Sequence, residues 1–240
     1  MSERPRIVAI LPVLDEADHI QGLVERVPRD VVHEVIVIDD RSSDTTAERA
    51  RAGGATVITN AKREGCGGSI RIGIDHALRA GAEVIVVMAG NGKDDPRYIS
   101  SLVEPILGGQ SDFIQGSRYA AGGIFRNMPL HRRLGTRAYS GLFSLLNGRR
   151  ITDATNGFRA FRAELVRDRR IDLWQAWLVN YEVESYLFAK TIRMGYRVGE
   201  VPVSKIYPAS SEKGYTKMKP FLDWWRHFRP TLLLACRVKR

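Results

Sequence analysis

The chain has 240 residues, 44% of them hydrophobic, which is enough for one substantial core and fits one large domain with or without an appendage. Lys and Arg number 37 against 27 Asp and Glu, and the formal net charge of +10 favours anionic partners such as nucleic acid, acidic lipid surfaces or phosphorylated substrates. The two cysteines, Cys66 and Cys236, have no metal-type spacing, which argues against a disulfide framework or zinc site and fits a reducing cytoplasm. Because no span approaches the roughly 18 consecutive apolar residues of a transmembrane helix, we expect any membrane contact to be peripheral.

Strand and helix patterns alternate in the first part of the chain. Apolar runs predict strands at residues 7–13, 34–38, 56–58 and 84–88, and apolar spacings of three and four predict helices at 16–27, 45–52 and 69–80. This alternation is typical of a doubly wound, mostly parallel α/β sheet. Strands that are covered on both faces also explain why the second and fourth runs are almost continuously apolar.

The second half of the chain is less regular. We predict helices at residues 98–107, 133–146 and 181–194, and strands at 112–115, 158–161 and 198–203. A last helix is predicted at 217–229, where apolar residues recur every three or four positions with basic residues between them. This pattern suits a helix lying on a membrane surface, and it suits equally a helix docked on the core with basic ends.

Polar groups follow the early strands at their carboxyl ends. The fourth strand breaks abruptly into AGNGKDDP at residues 89–96. In open α/β sheets these strand ends meet at one edge where ligands bind, so we expect four acids to converge on one crevice there: Glu16, Asp39, Asp94 and Asp95. Whether this edge holds a metal ion, a phosphate or only a turn is left open by the residues alone.

A glycine-rich segment, KREGCGGSIRIG at residues 62–73, leads into the third predicted helix. Glycines before a helix can expose backbone N–H groups to an anion, and Arg63 and Arg71 add positive charge. The segment lacks the Gly-Lys-Ser/Thr ending of an ATP-binding loop. Phosphate contact and a flexible helix entry therefore both remain open.

Six segments occur in an order that resembles family 2 glycosyltransferases, in particular the dolichyl- or polyprenyl-phosphate mannose and glucose synthases. They are PVLDE at 12–16, VIDDRSSDTT at 37–46, GCGGSIRIG at 65–73, GSRY at 116–119, DATNGFR at 153–159 and EVPV at 200–203. The resemblance runs from residue 7 to about residue 219. It implies a GT-A-like nucleotide-sugar-binding domain at residues 1–216, followed by an amphipathic, basic segment at 217–240 that suits a membrane surface.

The resemblance also implies roles for individual residues. Pro12, Leu14, Glu16, Val37 and Asp39 would surround the nucleobase, and Arg71 would belong to the same substrate site. Arg118 and one of Arg132 or Arg133 would lie near the transferred sugar or the acceptor phosphate, Asp153 and Arg159 would belong to an acceptor-side loop, and Lys213 and Lys217 would clamp the pyrophosphate. Cations suit these places because negative charge develops on a leaving nucleoside diphosphate.

The main departure from the family pattern falls at the end of the fourth strand. The metal-binding Asp-Xaa-Asp of the family aligns with Ala89, Gly90 and Asn91, and a third metal contact aligns with Lys93. Three interpretations follow: Asp94 or Asp95 binds Mg²⁺ or Mn²⁺ together with Asn91 in a shifted frame, Lys93 replaces the cation, or transferase activity is lost while the nucleotide pocket is kept. Adjacent aspartates point apart on an extended chain, so at most one would coordinate easily.

The leading hypothesis is an inverting glycosyltransferase that moves a sugar from a nucleoside diphosphate to a phosphate-bearing acceptor. The acceptor we favour is polyprenyl phosphate at the cytoplasmic face of a membrane, with Arg118, Arg132, Lys213 and Lys217 stabilising the separating charges. A hydroxyl acceptor would need a base, for which Asp153, Glu182 and Glu184 are the candidates. The alternative is a repurposed protein of the same fold that binds a nucleotide sugar and uses a soluble acceptor, does other chemistry or transfers nothing. Without a recognition-helix or aromatic RNA-binding pattern, we expect no nucleic-acid partner.

Overall fold

A computed structural model describes residues 4–208 and 222–238. The strands among these residues are β1 (Ile7–Val13), β2 (Glu34–Asp39), β3 (Thr56–Thr59), β4 (Val84–Val87), β5 (Phe113–Ser117), β6 (Ile124–Arg126), β7 (Arg159–Arg162), β8 (Val198–Pro202) and β9 (Ser204–Ile206). The helices are α1 (Ala17–Glu25), α2 (Thr46–Ala52), α3 (Gly65–Arg79), α4 (Ile99–Leu107), α5 (Leu130–Asn147), α6 (Ala163–Arg167), α7 (Glu182–Arg193) and α8 (Leu222–Ala235). One turn of 3-10 helix, Pro96–Tyr98, precedes α4.

Seven strands form the central sheet in the order β3-β2-β1-β4-β7-β5-β8. All neighbouring pairs are parallel except those of β7, which runs antiparallel to both β4 and β5. Short β6 and β9 pair in parallel as a separate ribbon beside the sheet. The predicted doubly wound, mostly parallel α/β architecture is confirmed.

The sheet is buried on both faces, as the continuous apolar runs predict. Val8 and Ile10 of β1 belong to one core layer, whereas Ala9 and Leu11 belong to the other. Successive side chains on a strand point to opposite faces, so each strand supplies both layers. Helices α3, α5 and α7 contribute to the first layer, and α1, α2 and α4 to the second.

Gly73 lets α3 lie directly on the sheet. A Cβ atom at this position would come within 2.3 Å of Ile10 Cγ2 and 3.2 Å of Ile38 Cγ1. Real carbon atoms do not approach so closely, so any side chain here would push the helix away from β1 and β2. The last glycine of the glycine-rich segment therefore serves packing.

The structure differs from the predicted elements in several places, and the last helix, predicted to end at residue 229, continues to Ala235. Residues 198–203 were predicted as one strand, but β8 ends at Pro202 and the chain continues as β9 in the other sheet. The short elements β6 and α6 were not predicted, because three to five residues carry too little periodicity. Helix α3 begins at Gly65, four residues before the predicted start at Ser69.

The C-terminal helix α8 docks on the core through α5 and α7, which is one of the two arrangements that its sequence pattern allows. The Tyr139 hydroxyl of α5 donates a hydrogen bond to the carbonyl of His227 at 2.8 Å. Thr231 and Leu234 are buried, whereas Trp225 stays half exposed. The predicted boundary between residues 216 and 217 lies outside the described residues.

Within the part of the chain that the structure describes, every helix is too short or too polar to cross a membrane.

We expect Gly73→Ala to lower the free energy of unfolding by about 1–3 kcal/mol, because the added methyl group overlaps Ile10. The matched control is Gly141→Ala in α5, where no atom lies within 4 Å of the added Cβ. That change should stabilise the protein by about 0.5–1 kcal/mol through helix propensity alone. Urea unfolding of both variants measures the difference, and equal effects of the two changes would contradict the packing role of Gly73.

Candidate functional site

A cleft of about 340 Å³ opens at the carboxyl edge of the sheet. Its walls come from the ends of β1 and β4, the start of α3, residues 155–157, the start of α7, the segment after β9 and one residue of α8. The predicted residues that line it are Pro12, Leu14, Glu16, Asn91, Lys93, Arg118, Arg132 and Glu184. The structure thus brings together residues from nearly the whole described chain at the predicted edge.

The half of the cleft beside β1 and α3 contains Pro12, Leu14 and Glu16, but the acid from β2 is Asp40 rather than Asp39. Asp39 is buried, and its carboxylate accepts a hydrogen bond from the Ser42 N–H at 3.0 Å. Val37 also lies elsewhere, fully buried in the core layer beneath α1 and α2. The alternation of side chains along β2 sends Val37 away from the cleft.

The start of α3 is not an open phosphate cradle. The Asp40 carboxylate accepts hydrogen bonds from the N–H groups of Glu64 at 2.7 Å and Gly65 at 2.9 Å, and Cys66 N–H donates to Asn180 Oδ1 at 3.1 Å. These are the backbone donors at the helix start that an anion would use. The phosphate-contact interpretation of the segment is therefore wrong at these positions.

Close packing explains the adjacent glycines better than flexibility does. A Cβ atom on Gly67 would lie 2.0 Å from the Asn180 carbonyl oxygen, so only glycine lets α3 meet the chain before α7. Cys66 lies at this contact, where burial raises the pKa of its thiol. A thiol with a raised pKa is a poor nucleophile, and we assign it no chemical role.

Arg71 faces away from the cleft. Its neighbour Ile70 lines the cleft, whereas Arg71 borders a second cavity of about 340 Å³ between α3 and residues 166–174. There its guanidinium lies 5.2 Å from the ring centroid of Trp174 and donates to the Leu173 carbonyl at 3.4 Å. The structure does not bring Arg71 together with the other predicted substrate residues.

A buried ion pair organises the other half of the cleft. The Arg118 guanidinium donates to both carboxylate oxygens of Asp153, at 2.6 and 2.8 Å, and also to the Thr155 hydroxyl at 2.6 Å. Burial alone would raise the pKa of Asp153, but the Arg118 charge and hydrogen bonds outweigh it and lower that pKa. Asp153 therefore stays ionised and holds Arg118 in place, and it is not available as a base.

Three cations meet around the Tyr207 ring. Arg118 donates to the Tyr207 hydroxyl at 2.5 Å, and the charged groups of Arg132 and Lys93 lie 5.4 and 5.9 Å from the ring centroid. Cation–π attraction and one hydrogen bond hold these groups near one another despite their like charge. Lys205 also lines the cleft and adds a fourth cation.

This crowding changes the titration of Lys93. Burial first, and then the positive charges of Lys205 and Arg132, lower the pKa of Lys93 to about 8, although Glu16 and Asp94 act in the opposite direction. An anion that entered the cleft would relieve the repulsion and raise this pKa again. The cation cluster is therefore built to receive negative charge.

Asp94 faces this cluster as a partner of Lys205. The Lys205 ammonium donates to Asp94 Oδ2 at 2.6 Å and to Asn156 Oδ1 at 2.9 Å, and Asp94 is buried. Asp94 Oδ1 has no hydrogen-bond partner among the described residues. The next residue, Asp95, caps the 3-10 turn and binds Arg97 outside the cleft.

The donors at this edge do not make a dedicated divalent-cation site. The two aspartates of the family's Asp-Xaa-Asp are replaced by Ala89 and Asn91. Ala89 has no side-chain ligand atom, and Asn91 Oδ1 accepts a hydrogen bond from the Lys93 N–H at 3.3 Å. Asp94 is engaged with Lys205, and nowhere in residues 4–208 and 222–238 do three His, Cys, Asp or Glu side chains form a group that could hold a metal ion. Mg²⁺ requires several oxygen ligands, and an ammonium group beside them opposes its binding.

The floor of the cleft contains a second buried ion pair. Arg159 lies 3.3 Å from Glu184 Oε1, and its guanidinium also donates to the carbonyls of Glu184 and Asn156. Arg159 is buried behind the cleft, whereas Glu184 lines it. Glu182, the other predicted base, is buried against Arg229 of α8 at 3.2 Å, outside the cleft.

Four of the residues in the cleft were missed in the sequence. They are Tyr181, Lys205, Tyr207 and His227. Tyr181 stacks on His227 with ring centroids 5.0 Å apart, and burial followed by the charges of Arg159 and Arg132 lowers the pKa of His227 to about 3, so this ring is neutral. Lys205 could have been found in the sequence, because a polar group shortly after the last predicted strand is expected at the same edge of the sheet. No local sequence pattern marks His227. The predicted Lys213 and Lys217 lie outside the described residues.

The mostly parallel sheet with a cationic cleft at its carboxyl edge is typical of α/β enzymes that bind phosphorylated ligands. Residues 8–170 match the model of the family "Glycosyl transferase family 2", and the chain belongs to that family. The family resemblance found in the sequence motifs is thereby confirmed.

Two characterised relatives align with most of the chain. The undecaprenyl-phosphate mannosyltransferase of Micrococcus luteus is 30% identical over 220 residues, which cover 89% of this chain and 87% of the relative. The polyprenol monophosphomannose synthase of Mycolicibacterium smegmatis is 31% identical over 221 residues, covering 89% and 81% respectively. The chain is therefore similar, over nearly its full length, to transferases named for polyprenyl phosphates.

A solved structure supports the fold assignment. Glucosyl-3-phosphoglycerate synthase from Mycobacterium tuberculosis, in complex with Mn²⁺, uridine diphosphate and phosphoglyceric acid, superimposes with a TM-score of 0.70. The match covers 98% of this chain and 80% of that protein at 20% identity. At this identity the similarity shows the GT-A-like fold alone.

We expect Asp153→Asn to lower the free energy of unfolding by roughly 3–5 kcal/mol, because it leaves the buried Arg118 charge without its partner. Asp75→Asn is the matched control, since it breaks an exposed i,i+4 pair with Arg79 and should change stability by less than about 0.5 kcal/mol. Denaturant unfolding measures both. If Asp153→Asn changed the free energy of unfolding as little as Asp75→Asn, the pair of Arg118 and Asp153 would not be what organises the site.

We expect the affinity for nucleoside diphosphates to fall above about pH 8, by about tenfold per pH unit, as Lys93 loses its proton. Below this pKa the affinity should not change with pH, because Lys93 is already protonated before the anion binds. Above it, binding must also restore the proton, because the bound anion favours the charged ammonium group. Calorimetric titration with uridine and guanosine diphosphate across this range measures the effect. Lys93→Arg should remove the pH dependence, whereas Lys62→Ala, at an exposed lysine, should leave it unchanged; a pH profile insensitive to Lys93→Arg would contradict the assignment.

Proposed function

We propose that this glycosyltransferase is inverting and moves a sugar from a nucleoside diphosphate donor to polyprenyl phosphate at the cytoplasmic face of a membrane. The observation that carries the proposal is the cluster of Lys93, Arg118 and Arg132 around Tyr207, with Lys205 in the same cleft. A diphosphate leaving group and a phosphate acceptor both bring negative charge into the cleft, which is what this cluster lacks. The names of the two relatives support the same acceptor class.

The transfer exchanges one carbon–oxygen bond for another. An oxygen of the acceptor phosphate attacks the anomeric carbon from the face opposite the donor, while the bond from that carbon to the β-phosphate oxygen breaks. The electron pair of the broken bond leaves with the nucleoside diphosphate, and the anomeric configuration inverts. Arg118, Arg132 and Lys93 stabilise the charges as they separate, and the cleft holds the two phosphates in line.

This chemistry needs no general base, because the acceptor phosphate is already an anion. Two of the three candidate bases are already paired, Asp153 with Arg118 and Glu182 with Arg229. Glu184 is the one predicted base that lines the cleft, and its partner is Arg159. A phosphate acceptor is therefore favoured over a hydroxyl acceptor.

We propose that the donor site depends little on a divalent cation. Uridine diphosphate is bound with Mn²⁺ in the solved relative of similar fold. Here Lys93 stands where the family has a metal contact, and its charge would face the diphosphate. Use of Asn91 and Asp94 as Mg²⁺ or Mn²⁺ ligands would require Asp94 to release Lys205.

Other parts of the sequence-based hypothesis complete the proposal. Pro12, Leu14 and Glu16, with Asp40, would contact the nucleoside, and Lys213 and Lys217 would contact the pyrophosphate. Residues 1–216 would act as the transferase domain, and the segment 217–240 would be its basic C-terminal appendage, of which α8 is docked on the core. A carboxylate at the nucleoside contact can accept a hydrogen bond from a ring N–H. Uracil and guanine carry such a group, so they are the bases to test first.

Activity is tested with a panel of uridine and guanosine diphosphate sugars and a short-chain polyprenyl phosphate in detergent, with and without a chelator. We expect glycosylated lipid phosphate to form from one donor, and a chelator to reduce its rate by less than about threefold. Lys93→Ala should reduce the rate by at least about tenfold, because it removes a charge next to the leaving group. Phosphorus NMR and mass spectrometry identify the products.

Two outcomes would overturn parts of this proposal. Nucleotide binding without turnover of any donor would support the repurposed protein instead of the enzyme. Activity abolished by the chelator and restored by Mn²⁺ would reject the lysine-based site, and its loss in Asp94→Asn would then support the shifted metal frame. Asp95→Asn is the matched control, because Asp95 binds Arg97 outside the cleft.

A further inference from the structure

The outer face of α5 exposes four leucines to solvent. Leu130, Leu134, Leu142 and Leu145 are 66%, 60%, 36% and 77% exposed. At about 100° per residue they fall, together with Ala138 and Gly141, within an arc of about 120°, and His131 is the one polar residue inside that arc. We call these six apolar residues the leucine face.

The opposite side of α5 is also largely apolar, and it already has its partners. Tyr139 and Phe143 are buried, Trp224 of α8 packs against Gly135, and Tyr139 binds the α8 backbone. A helix that is apolar on both sides is normally covered on both sides. The leucine face is the side of α5 that no other described element covers.

Positive charge borders the leucine face. Arg133 and Arg137 follow it along one edge, and both are exposed on the helix. Their guanidinium groups lie over the rings of Phe125 and Tyr119, 5.2 and 4.9 Å from the ring centroids, which holds both charges on the same side of α5.

The charge is also of one sign over a long segment. Residues 113–152 contain seven arginines and one histidine but no aspartate or glutamate. Ordinary solvated helices carry charges of both signs, whereas exposed leucines beside arginines match the depth profile of an anionic bilayer, with acyl chains beneath phosphate groups. The charge pattern therefore favours an anionic lipid membrane as the partner of this surface.

Helix α5 also reaches the cleft. Arg132, between His131 and Arg133, points to the buried side and lines the cleft. A surface that held the leucine face would therefore lie beside the opening through which a phosphate reaches Arg132 and Tyr207.

We propose that the leucine face is the membrane-docking surface of this protein and inserts shallowly into an anionic lipid leaflet. The proposal deepens the proposed function, on which it rests for its purpose, by placing a lipid-borne phosphate next to the cleft. A second copy of the chain fits this surface less well, because pairing two leucine faces would bring together the arginines of two molecules that each carry a net charge of +10.

The test measures vesicle binding by the full chain with no donor or acceptor present. Sedimentation with vesicles of phosphatidylcholine alone, and of phosphatidylcholine mixed with phosphatidylglycerol, should show strong binding only to the mixed vesicles. The double variant L134E/L145E should bind at least about tenfold more weakly, because two inserted side chains become charged. The matched control Leu107→Glu changes a leucine that is 45% exposed on α4, and it should bind like the original protein.

The charged edge is tested separately. Arg133→Gln and Arg137→Gln should each weaken binding to mixed vesicles by about fivefold, and the difference should shrink as salt is added. Unchanged nucleotide affinity in all these variants shows that the cleft is intact, since none of the changed residues lines it.

Equal loss of vesicle binding in L134E/L145E and Leu107→Glu would overturn the proposal, as would no binding to either vesicle. A dimer that the leucine changes dissociate, without vesicle binding, would assign the surface to self-association and also overturn it. Transfer to a detergent-dispersed short-chain acceptor separates the two hypotheses. If that activity persists while vesicle binding fails, the docking surface is wrong and the proposed function stands. If vesicles bind as expected but no transfer occurs, the docking surface stands and the proposed function is wrong.

Discussion

The buried pair of Arg118 and Asp153 is the interaction on which the half of the cleft around Tyr207 depends. Both side chains are removed from water, so neither charge is tolerable unless the other is present with its hydrogen bonds complete. The pair joins the end of β5 to the loop before β7, and through Tyr207 it reaches the segment after β9. Three parts of the chain that are distant in sequence are thereby held in one arrangement.

That arrangement concentrates positive charge where the substrates carry negative charge. Burial, and after it the nearby charges of Lys205 and Arg132, lower the pKa of Lys93 to about 8. An incoming diphosphate would turn this repulsion into attraction. The same crowding supports the proposal that the transferase works without acidic side chains at positions 89 and 91, because the site already has fixed cations.

Much of the fold could be predicted from the sequence, but less of the site. The first four strands and three helices follow from periodicity, because parallel strands buried on both faces are unbroken apolar runs. Asp39 and Val37 were misplaced because one residue of register decides which side of β2 a side chain takes. The packing role of Gly67 was missed because the Asn180 carbonyl that requires a glycine lies far along the chain.

By itself, the sequence determined the family, the doubly wound sheet, the cationic character of the protein and the edge at which the cleft lies, since these depend on local patterns and on the order of motifs. Only the tertiary structure decided that Asp94 binds Lys205, that Tyr207 gathers three cations and that the leucines of α5 remain uncovered. Each of these depends on contacts between residues far apart in the chain, or on which face of a helix finds a partner. Such distances and faces exist only once the chain is folded.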